Sequence, residues 1–519
     1  RVAVPVTALA LVAAIGGAAG FTWQLAEERD RAVAAEARAR QAAAFTSSVL
    51  ENTGANRDAA REVSVQTLLE QAATRVQTEL SDEPEVATRM RLAIGTAFQT
   101  WGAHDQALQV LQPALAEARA RGPAGERDLA EVLKLLATVT HDLGQLETSL
   151  DWTRQAESVW RRVGGAGEQA QALSDLALAL NGLRRREEAQ PVFREALARM
   201  RQAHAGDHDD IAWLLNNMAW GLHAMGRLDE AAPLYEQAVA MQRRLGTALV
   251  ELSQTQHNLA GVHYDRGDLD RAERLWREVL AQFESVYGAG GHAAVARAQN
   301  ILAVVALDRG QFDAAVQLTG DALATNLRLL GENHRFSAIT LQSHGVALLR
   351  AGRLDEAGRH LLRAQAARRD LLPPVHADHV GTQLGLARLG LARGTGAGVA
   401  QAEGVLREAL ALIESLPAPD RVPLDDVQLT LARALALQGR REEASQLAAQ
   451  VVARMKTQVA ATHWRRRAAE AVVGLPPFVA SAQPGAIALA QQTLEALREQ
   501  LGPHAPAVQE IEAGLLAAR

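Results

Sequence analysis

His204, His208, Asp209 and Asp210 form the densest group of metal-ligand side chains in the sequence, and His376, Asp378 and His379 form a second. Imidazole and carboxylate together could hold zinc. A helical zinc site, however, sets its histidines one turn apart, as in HExxH, and neither group has that spacing. Both groups fall in short polar connectors, so the reading is of no metal and no cofactor. The glycine-rich stretches GAGGH (Gly288–His292) and RGTGAG (Arg393–Gly398) could cradle a phosphate only after a strand and before a helix. They stand between helices and read as loops. WRRR (Trp464–Arg467) is a local basic patch that reads as a solvated helix face. No nucleophile stands at a recognisable spacing from a base, and no kinase-type phosphate loop, HRD or DFG motif is present. The chain has no cysteine, which removes disulfides and thiolate ligands. The expectation is therefore of a chain that binds rather than catalyses.

The elements that would position a binding surface are helices. Across 519 residues aromatics make up only 4%, while Ala, Leu, Arg, Glu and Gln dominate, the residues that lose least on entering a helix. A net charge of −6 argues against a nucleic-acid binder, which needs a basic face to displace counterions.

From Val2 to Leu25 there is no charge, and Val4, Val6, Leu9, Leu11, Val12, Ile15 and Phe21 make the stretch apolar. A helix that long rises roughly 33–36 Å, enough for a bilayer core. Trp23 stands where an interfacial aromatic would, before the charged run Glu27–Arg31. The expectation is a transmembrane helix over residues 2–25, with a cleaved signal peptide or a buried soluble helix as alternatives. GxxxG spacing at Gly16–Gly20 adds the expectation of a homodimer through that helix. Residues 26–83 read as juxtamembrane helices and a linker broken at Asn52–Asn56. The charges flanking the span do not fix its orientation.

From residue 84 the chain repeats. Gly102, Gly144, Arg184, Gly226, Gly267, Gly310, Gly352, Gly394 and Gly439 follow one another at intervals of 42, 40, 42, 41, 43, 42, 42 and 45 residues, the signature of a stack of supersecondary units. A small residue lies seven positions before (Gly95, Ala137, Ala177, Ala219, Ala260, Ala303, Gly345, Ala432) and another five after. Small residues let two antiparallel helices approach at their crossing. Large ones, Leu111, Phe193, Tyr235, Trp276 and Leu361, fill the space between neighbouring hairpins. Glycine supplies the left-handed turn that ends the first helix.

Leu215–Gly246 and His257–Gln282 resemble tetratricopeptide repeats, and the period of about 42 resembles the long-helix subtype of kinesin light chains. Connectors such as LRLLGENHRFSA (Leu327–Ala338) and EQLGPHAPAVQE (Glu499–Glu510) resemble that subtype too. The resemblance implies an all-α, right-handed superhelical solenoid of about ten hairpins over residues 84–519, distorted at Leu475–Pro477. It implies a concave groove lined by the first helix of each hairpin. It places Asn216, Asn217, Trp220 and His223 there with Trp213 a turn earlier, then His257, Asn258 and Tyr264, then Asn300. Asparagine can both donate to and accept from a peptide backbone, and aromatics can anchor side chains. The implied partner is a protein or peptide.

Arg61–Leu108, following an apolar span and a charged Ala/Arg helix, resembles the C-terminal half of certain bacterial serine/threonine protein kinases. In those proteins a cytoplasmic kinase domain precedes the span and repeats lie beyond it. That likeness implies a single-pass protein of a bacterial plasma membrane with extracytoplasmic repeats, acting as a sensor. The alternatives are a stand-alone anchored scaffold and an intracellular regulator without a kinase.

Overall fold

The computed structural model describes residues 65–416, 423–459 and 463–519. The apolar segment 2–25, the expected membrane span, lies outside the described residues, as does most of the expected juxtamembrane region. Among the described residues no helix is long and apolar enough to cross a membrane. They form α-helices and one short 3-10 turn, with no strand. The helices cluster into two compact units, divided between Gly206 and Asp207.

The first unit holds α1 (Val65–Glu79), α2 (Pro84–Thr100), α3 (His104–Ala120), α4 (Glu126–Asp142), α5 (Leu146–Val163), α6 (Ala166–Gly182) and α7 (Arg186–Ala203). The second holds α8 (Asp209–Ala224), α9 (Leu228–Leu245), α10 (Leu249–Asp265), α11 (Leu269–Tyr287), α12 (Ala293–Asp308) and α13 (Phe312–Leu330). It continues through α14 (Arg335–Arg350), α15 (Leu354–Leu371), α16 (Asp378–Ala392), α17 (Gly396–Ser415), α18 (Leu424–Leu437) and α19 (Arg441–Gln458). It ends in α20 (Trp464–Val473), α21 (Pro484–Leu501) and α22 (Pro506–Ala517). From α2 onward the even-numbered helix opens each hairpin and the odd-numbered one closes it, as far as α19. Within each unit every hairpin packs on the next, so each apolar face is buried by a neighbour.

The turn between the two helices is the same in every hairpin but that at Gly394, which shares the backbone conformation and not the closing hydrogen bond. Each aligned glycine has positive φ, from 67° at Gly394 to 83° at Gly439, and Arg184 takes the same conformation at 61°. In the other hairpins the residue after it sends its N–H back to a carbonyl five residues earlier, as Arg227 does to Leu222 at 2.9 Å, which satisfies a carbonyl at the helix end. The small residues are needed for the reason the sequence suggests. A Cβ added at Gly345 would stand 2.8 Å from Leu361 Cγ, and one at Gly95 2.9 Å from Leu111 Cδ2.

The connector histidines have a structural use. Nδ1 of His208, His292, His334, His376 and His463 each accepts the backbone N–H two residues on, at 3.1–3.2 Å, at the start of a helix. Such caps satisfy one of the four orphan donors of a helix N-terminus. His379 turns its Nε2 to the Pro373 carbonyl at 3.0 Å. In the group of His376, Asp378 and His379, these ring nitrogens serve the connector itself.

Candidate functional site

The expected groove residues lie on α8, α10 and α12, the first helices of three successive hairpins of the second unit. Trp213 is 43% exposed. Asn216, Asn217, Trp220 and His223 are half-buried on the same helix, and Trp220 packs against the core around Tyr235 and Leu259.

Repetition converts equal positions on neighbouring first helices into rungs. Asn258 donates its amide N–H to Asn216 Oδ1 at 3.0 Å, and Gln254 donates to Asn258 Oδ1 at 3.1 Å. His223 Nε2 meets Asp265 Oδ2 at 2.7 Å. Asn300 donates to Thr340 Oγ1 at 2.9 Å, while its Oδ1 is buried without a partner. Among the described residues Asn217 bonds only within its own helix, to the Trp213 carbonyl at 2.9 Å. The structure thus brings together Asn216 with Asn258 and His223 with the first helix of the next hairpin. It sets Asn217 apart from that ladder. The Nδ2 donors of Asn216 make no hydrogen bond among the described residues, while its Oδ1 accepts from Asn258.

His257 and Tyr264 flank Trp276 of α11. The indole N–H of Trp276 donates to His257 Nδ1 at 3.2 Å, and the Tyr264 ring centroid lies 5.8 Å from that of Trp276. Tyr264 also donates its hydroxyl hydrogen to Asp308 Oδ2 at 2.6 Å. Tyr264 is therefore already engaged, and by a segment far along the chain. Arg465 of α20 lays its guanidinium over the Tyr264 ring, bonds the Tyr264 hydroxyl and lies 3.4 Å from Asp308 Oδ2. Gln500 donates to the Gly267 carbonyl at 2.9 Å, and the His504 carbonyl approaches Gly310 so closely that a Cβ there would overlap it. The last helices of the second unit thus fold back onto α10 and α12. Burial pushes the Asp308 carboxyl above its ordinary range, with Asp426 adding to the effect and Arg465 opposing it.

Sequence reading missed this cluster. Trp464 is buried and Arg465 is committed to Tyr264, so WRRR is not simply a solvated face. Arg466 turns to Glu470 at 3.0 Å and the Val459 carbonyl at 2.9 Å. Further arginines on successive first helices were also missed. Arg388 pairs with Asp426 at 3.2 Å, and Arg433 pairs with Glu510 of α22. Arg433 falls to about 10 through burial and the nearby Arg350 and Arg388 charges. No local periodicity marks such residues, because their partners come from other hairpins.

Residues 128–202, 168–244 and 251–326 match the family model described as tetratricopeptide repeat. No curated protein matches the chain. Among solved structures, the apo form of RapI is 12% identical, with 72% of this chain and 99% of that chain covered and a TM-score of 0.55. The apo form of the quorum sensor NprR from B. thuringiensis is 13% identical over 80% of this chain and 97% of its own, with a TM-score of 0.46. A variant of a putative kinesin light chain from Podosopora anserina, with nearly identical TPR-like repeats, is 27% identical over 40% of this chain and 95% of its own, at a TM-score of 0.31. The described residues are all-helical, and residues 128–244 and 251–326 carry tetratricopeptide repeats. Such repeats are an architecture of protein–protein interaction.

Proposed function

We propose that the first-helix face of α8, α10 and α12 is a groove that captures an extended peptide or protein segment. The observation that carries this reading is the pair of unengaged Nδ2 donors of Asn216 on the same helix as the exposed Trp213. An amide with free donors can hold a backbone carbonyl of any sequence, and the indole supplies an apolar anchor. Asn216 is preset by its bond to Asn258, which lowers the ordering cost of binding. Asn258, His223 and Asn300 act in this reading as the rungs that hold the surface, and Trp220 as its partly buried floor. Tyr264 and His257 form its far edge, where the C-terminal helices begin.

The reading extends to an anchored sensor. The uncharged apolar stretch 2–25 supports a membrane anchor, and the likeness of residues 61–108 to bacterial serine/threonine kinases supports a role in reporting ligand capture across a bacterial plasma membrane. On this reading the repeats lie outside the cytoplasm, and the GxxxG spacing supports pairing of two anchors. The competing reading is a scaffold with no kinase attached.

The groove is tested by selecting peptides from a displayed library on the intact protein and measuring their affinity for a Trp220→Ala, Asn258→Ala double variant. Loss of binding of at least tenfold, with helicity unchanged by circular dichroism, is expected. Equal affinity for both proteins contradicts the groove.

A further inference from the structure

Nine residues after five of the nine turn residues, the second helix carries a large side chain that plugs the gap to the next hairpin. Leu111, Phe193, Tyr235 and Leu361 fill that place with no exposure at all, and Trp276 with almost none. Two hairpins have threonine there instead, Thr153 and Thr319, and the last two have Glu403 and Ala448. At Thr319 the gap is filled by other means: its hydroxyl contacts His344 Nδ1 at 2.9 Å, and His344 meets His360 edge-on with ring centroids 4.8 Å apart. At Thr153 the place stays open, with Trp160 at its wall.

The result is a pocket of about 250 Å³ within the first unit, walled by Ala137, Ser149, Thr153, Ala156, Trp160 and Ala172. Its hydroxyls are spent internally, Thr153 on the Ser149 carbonyl at 2.8 Å and Ser149 on the Ala137 carbonyl at 2.7 Å. The wall therefore behaves as apolar. The pocket's polar edge is made by α4 and α6, where the Lys134 side chain is exposed and that of Asp175 partly so. There Lys134 Nζ stands 3.5 Å from Asp175 Oδ2, and Gln171 donates to Asp175 Oδ1 at 3.0 Å. Burial raises the Asp175 carboxyl above its ordinary range, as expected of an acceptor turned toward an apolar recess.

We propose that this pocket is a binding site for an aromatic side chain with a polar hydrogen, a tryptophan or tyrosine presented by a partner polypeptide, whose N–H or O–H meets Asp175. Three observations converge on it. The repeats fill the equivalent gap from within by Phe193, Tyr235 and Trp276, so the vacant place has the dimensions of a ring. Apolar cavities of about 150 Å³ hold a benzene, so this one has room for the larger indole. Its polar edge lies on the first helices α4 and α6, with Lys134 and Asp175 placed to meet the ring's polar hydrogen and groups flanking it. A mostly apolar recess with a few fixed polar groups is what ligand sites share. The assignment of a polypeptide source rests on the reading of the repeats as a capture module; the ring site itself does not.

The test uses fluorine NMR on the whole protein with two probes, 5-fluoroindole and N-acetyl-5-fluorotryptophanamide. Thr153→Leu refills the gap, and Thr153→Ser leaves it open. Both probes are expected to bind wild type and Thr153→Ser and to lose at least tenfold in affinity with Thr153→Leu. A thermal melt at or above the wild-type midpoint would show that the leucine variant is folded. No binding of either probe to wild type, or equal binding by the leucine variant, overturns the site. Binding of fluoroindole but not of the tryptophanamide overturns the polypeptide source and makes the site one for a free aromatic molecule. None of these results bears on Trp220 or Asn258, so failure here and failure of the groove are separable.

Discussion

The Arg465 guanidinium lies 5.3 Å from the centroid of the Tyr264 ring, although 201 residues separate the two in sequence. A cation over a ring, hydrogen-bonded to that ring's own hydroxyl and close to Asp308, ties the end of the second unit to its second and third hairpins. The contact fixes where the C-terminal helices sit and therefore where the proposed groove ends.

Removing that tie should loosen the C-terminal helices without unfolding the repeats. Because the Arg465 side chain is partly solvated, Arg465→Ala is expected to cost only about 1–2 kcal/mol. Urea denaturation measures the loss. Amide exchange in residues 464–517 should quicken while α8 and α9 stay protected. An unchanged midpoint together with unchanged exchange would contradict the tie.

Acid should destabilise the second unit before the carboxylates titrate. Burial holds His344 and His463 at about 4, with His360 and Arg465 respectively adding to the effect. In the unfolded chain both bind protons near 6.5. The stability held in their neutral forms is present above pH 6.5 and is lost as pH falls from there toward 4. Each contributes on the order of 1–3 kcal/mol. Asp308 works in the opposite sense: its raised carboxyl favours the folded state at low pH, and that share fades as pH rises through its folded value. Urea midpoints at pH 7 and pH 5 should therefore differ, and less so in a His344→Gln variant that still folds. Equal differences in both proteins would contradict the assignment to His344.

Arg184 alone among the described residues outside glycine has positive φ. A left-handed side-chain-bearing residue costs roughly 1–2 kcal/mol, part of which glycine returns as unfolded-state entropy. Arg184→Gly should raise stability by about 0.5–1 kcal/mol. A lower denaturation midpoint would show that the side chain's own interactions outweigh the backbone strain.

Phe193 fills, with no exposure, the same position that Thr153 leaves open one hairpin earlier. Phe193→Ala should cost about 3–5 kcal/mol by the cavity it leaves. A loss under about 1 kcal/mol, read from the same denaturation curves, would mean that the hairpins can close on the gap.

How far the fold could be read from sequence follows from where each constraint acts. Gly102, Gly226 and Gly439 betray their turns because left-handed backbone selects glycine within a few residues of chain. Ala219 and Tyr235 betray a hairpin crossing for the same local reason. The histidine connectors were visible as connectors, but their use as caps was not, because His is not among the preferred capping residues. Asn216 and Asn258 were legible as repeat-equivalent positions, not as a bonded pair. Arg465 was illegible altogether. Its partners Tyr264 and Asp308 lie several hairpins away, and no periodicity announces a chain folding back on itself. The pocket at Thr153 hid as a conservative-looking polar residue in a second helix; only alignment against Phe193 and Tyr235 shows what is missing.

The most direct test of peptide capture is a hydrogen–deuterium exchange footprint of the intact protein with and without a selected peptide at saturating concentration. Capture in the groove predicts added protection in α8, α10 and α12, strongest around residues 213–220, with the second helices α9, α11 and α13 unchanged. Protection confined to the second helices, or to the turns between them, would contradict it.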